Sequence, residues 1–238
     1  MELRDAYKSI AEAIIHAGAS NECRVKVEWI HSEKINEENI QRKLAGCQGI
    51  IIAPGFGHRG IEGKIIAAKY ARELKIPFFG ICLGMQIAVI EFARNILKLT
   101  GADSTEMNQL TEFPVIDLME EQKGITEKGG TMRLGAYACN LRKDSNAFRA
   151  YNKTKVSERH RHRYEFNNTY LAAFEDAGMK ATGFNPDTNL VEVMEIANHP
   201  WYVGVQFHPE YSSTVLQPHP LFIAFIKAVI ENSQKKSI

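Results

Sequence analysis

Cysteine, histidine and glutamate are the side chains of nucleophilic acyl chemistry, and this sequence holds one of each where such chemistry would need it. Cys82 stands in Gly80-Ile81-Cys82-Leu83-Gly84-Met85-Gln86. The apolar run Pro77-Phe78-Phe79 precedes it, and an amphipathic stretch with Ile87, Val89, Ile90, Phe92, Ile96 and Leu97 follows. A strand turning sharply into a helix, with a nucleophile between small residues, is a nucleophile elbow. The side chain then projects at a helix N-terminus, where oriented N–H groups favour negative charge. The expectation is a thiol biased toward thiolate.

A thiolate nucleophile needs a base that later serves as an acid, and the base needs an orienting group. Val205-Gln206-Phe207-His208-Pro209-Glu210 offers both. His208 follows a buried-type strand, and Pro209 stiffens the link to Glu210. A carboxylate there accepts from one imidazole nitrogen and leaves the other facing Cys82. A third segment, Ala53-Pro54-Gly55-Phe56-Gly57-His58-Arg59-Gly60, is a glycine-rich turn after a strand. Its backbone N–H groups suit an oxyanion. Phosphate binding is the competing use, but the turn matches neither G-x-G-x-x-G nor G-x-x-x-x-G-K-[ST], so a nucleotide fingerprint is unsupported.

The elements that position these groups alternate. Residues 3–17 read as a helix stopped at Gly18. Val25, Val27 and Trp29 alternate with charged residues as a strand exposed on one face would, and Asn36 suits the cap of a short helix ending at Gly46. Residues 50–53 read as a buried strand, 61–74 as helix, 76–81 as strand and 85–97 as helix. The second half is more β-rich, with strands around 115–118, 190–194 and 202–207 and helices at 167–177 and 220–232. Residues 119–131 read as an exposed polar loop. These patterns imply an α/β fold: a mostly parallel central sheet with helices on both faces, plus a smaller β-rich subregion. In such sheets ligands bind at the carboxyl ends of the strands, where the 54–60 and 81–85 loops should meet.

The 238 residues read as a single domain, 1–238, with 45% hydrophobic content and enough core to fold. A net charge of +1 gives no bulk attraction to nucleic acid or anionic membrane. No apolar run reaches a membrane span, and the N-terminus carries no signal-peptide core. The four cysteines, Cys23, Cys47, Cys82 and Cys139, form no C-x-x-C pair. A reduced, cytoplasmic setting is the simplest reading. His160 and His162 suggest a metal, but no nearby cysteine or carboxylate cluster completes a site, so no metal is expected.

The G-I-C-L-G-M-Q string together with F-H-P-E resembles the triad-type, class-I glutamine amidotransferases. Two further strings, Gly-Gly-Thr-Met-Arg-Leu-Gly at 129–135 and Glu158-Arg159-His160-Arg161-His162-Arg163-Tyr164-Glu165, narrow the resemblance to the glutaminase domain of CTP synthase. Asp103-Ser104-Thr105-Glu106 fits the same family, and the similarity runs over almost the whole chain. The resemblance implies a flavodoxin-like amidotransferase fold and hydrolysis of L-glutamine to glutamate and ammonia. It makes Cys82 the nucleophile, His208 the base and acid, and Glu210 its orienter. Gly55 and Leu83 would supply the oxyanion N–H groups. Leu83, Gly84, Met85 and Gln86 would line the glutamine pocket, and Phe56 would wall the substrate methylenes. Glu106 would hold the α-amino group and Arg163 the α-carboxylate.

In that family the ammonia serves ATP-dependent amination of UTP to CTP, with magnesium, in a synthetase domain of a homotetrameric enzyme. GTP activates the glutaminase, and Arg59 is the candidate for that coupling. The domain itself needs no cofactor. Two departures matter. Many relatives carry two glycines before the phenylalanine where this chain has Pro54-Gly55-Phe56, so the oxyanion donor is the N–H of Gly55 or of Phe56. The family's N-terminal synthetase domain, and an opening strand expected before Asp5-Ala6-Tyr7, are absent; alone, the chain would at most hydrolyse glutamine. Alternatives are another triad amidotransferase, a γ-glutamyl hydrolase, or an inactive amidotransferase-like interaction module. For 158–165 the alternatives to substrate and interdomain contacts are plain surface charge and nucleic acid.

Overall fold

A seven-stranded sheet carries the site. The computed structural model describes residues 4–118 and 132–235. The polar loop expected at 119–131, with Gly129, Gly130 and Thr131 of the family string, lies outside the described residues.

The strands are β1 (Ile50–Ile52), β2 (Phe78–Ile81), β3 (Asp103–Ser104), β4 (Pro114–Leu118), β5 (Arg133–Leu141), β6 (Lys155–His162), β7 (Tyr164–Phe166), β8 (Met179–Phe184), β9 (Val191–Ile196) and β10 (Tyr202–Val205). The main sheet runs β1-β2-β10-β9-β8-β5-β6, and β3-β4-β7 forms a second, three-stranded sheet. The main sheet is mixed. Its parallel part is β1, β2 and β10; from β10 outward through β9, β8, β5 and β6 every ladder is antiparallel. The β-rich second half of the sequence is thus mostly an antiparallel extension of the parallel core.

The principal helices are α1 (Lys8–Ser20), α2 (Ile40–Lys43), α3 (Ile61–Glu73), α4 (Leu83–Asn95), α5 (Asn146–Tyr151), α6 (Leu171–Ala177) and α7 (Pro220–Lys235). Alternation along β2 divides the core between two helical layers. Phe78 stacks on Tyr202 at 4.3 Å, on the face covered by α3 and α4. Phe79 turns to the opposite face and meets Phe222 of α7 edge-on at 5.3 Å. Both faces being covered, β2 and β10 are buried throughout, which is why they read as continuous apolar runs.

Two sequence expectations are corrected. Residues 23–30 form no strand: the alternation of Val25, Val27 and Trp29 is present, but no ladder partner lies beside it among the described residues, and β1 is the sheet edge. Alternation marks a half-buried surface; hydrogen bonding to a neighbour makes it a strand. The helix expected to run from Asn36 to Gly46 is only the single turn of α2. Asn36 and Asn39 do close its entry reciprocally, each backbone N–H donating to the other's Oδ1 at 3.1 and 2.9 Å.

Candidate active site

Three loops gather at one edge because β1, β2 and β10 run parallel and end together. The loop at 54–60 follows β1, the elbow follows β2, and residues 206–210 follow β10. The elbow is tied directly to β10, the Cys82 N–H donating to Val205 O at 2.7 Å. Cys82 itself has φ 52° and ψ −105°, a conformation that L-residues adopt only where the surroundings impose it. Glycines let the surroundings do so. A Cβ on Gly84 would lie 2.2 Å from Ile52 O, and one on Gly80 would lie 2.5 Å from Gly84 O. The first turn of α4 therefore presses on β1 and β2 with no room for a side chain at either position.

Cys82 is buried, and this overturns the expectation of a thiol biased toward thiolate. Burial pushes the thiol up to about 12, while the Leu83 N–H pulls the other way and Glu210, Glu165 and Glu106 add to the rise. Desolvation of a thiolate outweighs one helix terminus here. At neutral pH the resting sulfur carries its proton.

His208 follows β10 at the same sheet edge. Its backbone N–H donates to Arg159 O of β6 at 2.8 Å, and its Nδ1 meets Glu210 Oε1 at 2.8 Å. A carboxylate only accepts, so Nδ1 carries the hydrogen and Nε2 presents a lone pair. That Nε2 is buried and has no hydrogen-bond partner among the described residues. Tyr211 stacks on the imidazole at 5.3 Å, and a surface groove along Lys8, His16 and Ser213 reaches Glu210.

The remaining residues fall into two groups. Gly55 lies against the elbow: its Cβ position is 3.4 Å from Leu83 Cδ2 and 3.5 Å from the Lys64 ammonium. Burial lowers the Lys64 pKa, and among the described residues no carboxylate pairs with it. Glu106 reaches the same loop, its Oε1 accepting from the Gly57 N–H at 3.3 Å. Burial and Glu106 raise the Tyr164 phenol while Arg163 lowers it, so the anion and the cation assigned to a substrate head group act on one ring. By contrast, Met85 is fully buried against Gly204 and packs the sheet with Gly84. Phe56 is 89% exposed. Arg59 is exposed as well, in an ion pair with Glu33 at 3.0 Å.

Sequence reasoning missed Gln206. Gln86 donates from Nε2 to Tyr164 O at 2.9 Å and to Gln206 Oε1 at 3.2 Å, and Gln206 Nε2 reaches Cys82 Sγ at 3.7 Å. Its position at the carboxyl end of β10, beside His208, was the available signal. Also missed was a buried ionic cluster contributed by β5, β6, β7 and β9. Arg133 pairs with Glu192 at 2.7 Å and Glu165 at 3.4 Å. His160 Nδ1 lies 2.7 Å from His162 Nε2, 3.7 Å from Glu192, and His162 Nδ1 lies 3.2 Å from Glu165. β9 and β7 thus bring a carboxylate beside each histidine, Glu192 and Glu165. Burial, with Arg133 close by, drives His160 down to about 3 and His162 well below its ordinary value, so both are neutral. Among the described residues no cluster of three or more His, Cys, Asp or Glu has a metal-holding arrangement. The 158–165 string is half interior, with His160 and His162 inward and Arg159 and Arg161 outward.

An elbow cysteine, a carboxylate-oriented histidine and a glycine loop meeting at one sheet edge define a class, and the glutamine amidotransferase class-I profile matches residues 2–228. The chain belongs to that family. Within it, the chain groups with the glutaminase domains of CTP synthases. The glutaminase domain of Trypanosoma brucei CTPS, solved with bound acivicin, superposes with a TM-score of 0.91 at 33% identity, covering 97% of this chain and 91% of that one. CTP synthases of Christiangramia forsetii and Cytophaga hutchinsonii are each 61% identical over 236 residues, 99% of this chain. The chain spans 43% and 44% of the lengths of those two relatives. No helix of the described residues is long and apolar enough to cross a membrane.

Proposed function

We propose that the chain hydrolyses L-glutamine to glutamate and ammonia through Cys82, His208 and Glu210. The observation that carries this reading is the buried, partnerless Nε2 of His208, whose tautomer Glu210 fixes at 2.8 Å. With the Cys82 thiol protonated at rest, attack and proton transfer are coupled: Sγ adds to the side-chain amide carbon as its proton passes to Nε2. The oxyanion forms against backbone N–H groups of Leu83 and of Gly55 or Phe56. His208 returns the proton to the departing nitrogen, ammonia leaves, and a thioester remains. Water, deprotonated by the same Nε2, hydrolyses the thioester to glutamate and restores the thiol. Glu106 holds the α-ammonium and Arg163 the α-carboxylate, a free amino acid needing one fixed charge of each sign.

Together with a synthetase domain, the ammonia would serve amination of UTP to CTP with ATP and magnesium. GTP would stimulate the glutaminase, with Arg59 at the coupling loop. That enzyme would be cytoplasmic and tetrameric. The decisive measurement is glutamate release from glutamine, with GTP and a supplied synthetase domain, against Cys82→Ala and Cys82→Ser. Release that these variants abolish supports the reading; no release by the parent chain overturns it. A glutamine-like chloroketone, or acivicin as bound by the T. brucei domain, should block release, and a chloroketone adduct mapping away from Cys82 would sink the nucleophile assignment.

A further inference from the structure

We propose that Gln206 is a further catalytic residue: its carboxamide nitrogen donates to the sulfur of Cys82 and stabilises the thiolate while His208 holds the proton. The proposal rests on Cys82 being the nucleophile. It starts from a bookkeeping of donors and acceptors around a fully buried amide pair.

Tyr164 O is a backbone carbonyl and can only accept, so Gln86 turns its nitrogen toward it, at 2.9 Å. The second hydrogen of that nitrogen goes to Gln206 at 3.2 Å, so Gln206 presents its oxygen to Gln86. The nitrogen of Gln206 is then forced onto the other side, where Cys82 Sγ lies 3.7 Å away. No alternative flip of either amide satisfies all three contacts. The backbone is pinned too, the Gln206 N–H donating to Glu192 O of β9 at 2.9 Å. An amide oriented from both ends costs no reorganisation when charge appears on sulfur.

The sulfur needs such a donor. It is buried, its proton is held tightly, and three carboxylates disfavour the anion. The Leu83 N–H and the Gln206 N–H are the donors it has among the described residues. Among the described residues His208 Nε2 makes no hydrogen bond, whereas Gln206 Nε2 does reach the sulfur. Its contribution recurs when the thioester collapses and sulfur leaves with its electron pair, before the proton returns from His208.

The test uses the full chain and reads Cys82 without glutamine. Iodoacetamide alkylation is followed against pH by peptide mass at Cys82, alongside kcat and KM for glutamate release. Gln206→Met keeps the length and removes the donor. It should slow Cys82 alkylation at pH 8 about tenfold or more and lower kcat by a similar factor, with KM changed less than about twofold, the usual reach of a hydrogen bond to a charged group. Gln206→Glu should be slower again, since it sets a like charge beside the thiolate. Gln86→Met leaves the donor in place but loosens its aim, and a smaller loss of about threefold is expected; this variant serves if Gln206→Met fails to fold. A folded Gln206→Met with the parent's alkylation profile and kcat overturns the proposal. A parent that releases no glutamate, yet whose Cys82 reactivity still depends on Gln206, would overturn the glutaminase reading and the catalytic role, and leave only the stabilising contact of Gln206 with the Cys82 thiolate.

Discussion

His208 gives one ring nitrogen to Glu210 at 2.8 Å and keeps the other buried without a hydrogen-bond partner among the described residues. That pairing decides which nitrogen is basic. Replacing Glu210 by Gln supplies an amide that can donate to Nδ1, which selects the opposite tautomer and puts the hydrogen on Nε2. The expected result is a fall in kcat for glutamate release of about 10²–10⁴-fold, with the protein still folded by circular dichroism. A kcat within threefold of the parent would remove Glu210 from the site.

The raised thiols predict alkaline instability. Burial holds Cys82 up to about 12 and pushes Cys139 up as well, whereas an unfolded thiol titrates near ~8.5. A proton held more tightly in the fold stabilises it fully below the unfolded value, and the gain drains away as pH climbs toward the folded one. Unfolding free energy should fall between about pH 8.5 and 12, by up to about 1.4 kcal/mol per pH unit for each thiol. Urea midpoints at pH 7.5 and 10 measure the slope, and Cys82→Ala/Cys139→Ala should flatten it. An equal slope in the double variant would refute the assignment.

Arg133 pairs with two buried carboxyls, Glu192 at 2.7 Å and Glu165 at 3.4 Å. Arg133→Met should cost about 3–5 kcal/mol by thermal or urea unfolding, because it strands two buried charges. Burial already raises both carboxyls, and without the guanidinium they take up protons in the fold. The deficit should therefore be smaller at pH 5 than at pH 8; a pH-independent loss would point to packing alone.

Gly84→Ala tests the close approach of α4. The added methyl would lie 2.2 Å from Ile52 O, a backbone atom that cannot swing away. A destabilisation of about 3 kcal/mol is expected from overpacking of this kind, with activity lost through displacement of Cys82. A stable, active Gly84→Ala would mean the helix start is more pliant than its packing implies.

The parallel core was legible because β1, β2 and β10 are covered on both faces and so advertise themselves as apolar runs. The elbow was legible because Gly80 and Gly84 flank Cys82, and its strained backbone has no other economical sequence. β6 was not legible. Its inward residues, Glu158, His160 and His162, are as polar as its outward ones, so apolar alternation carries no trace of the strand. What makes His160 and His162 interior is the company of Arg133 and Glu192, drawn from strands distant in sequence, and of Glu165 on the adjoining β7; Glu158 instead pairs with Tyr151 and His219. Gln206 was hidden likewise, since its role depends on Gln86 and Tyr164 fixing its amide. The ionisation of Cys82 was misjudged because a helix N-terminus is visible in sequence and the depth of burial is not. The 23–30 segment misled in the opposite direction, its alternation being real and its ladder absent.

Alternation on β6 also acts as a lock on strand register. Sliding β6 by one residue against β5 would exchange its two faces at once. Arg159 and Arg161 would be driven inward as two guanidiniums beside Arg133, and the neutral pair His160 and His162 would be put into solvent. Because His208 hangs from the Arg159 carbonyl at 2.8 Å, the same slip would unseat the imidazole. Misthreaded copies of this strand would thus bury charge and unseat His208 together, so a chain that folds stably at this strand has also set its histidine correctly.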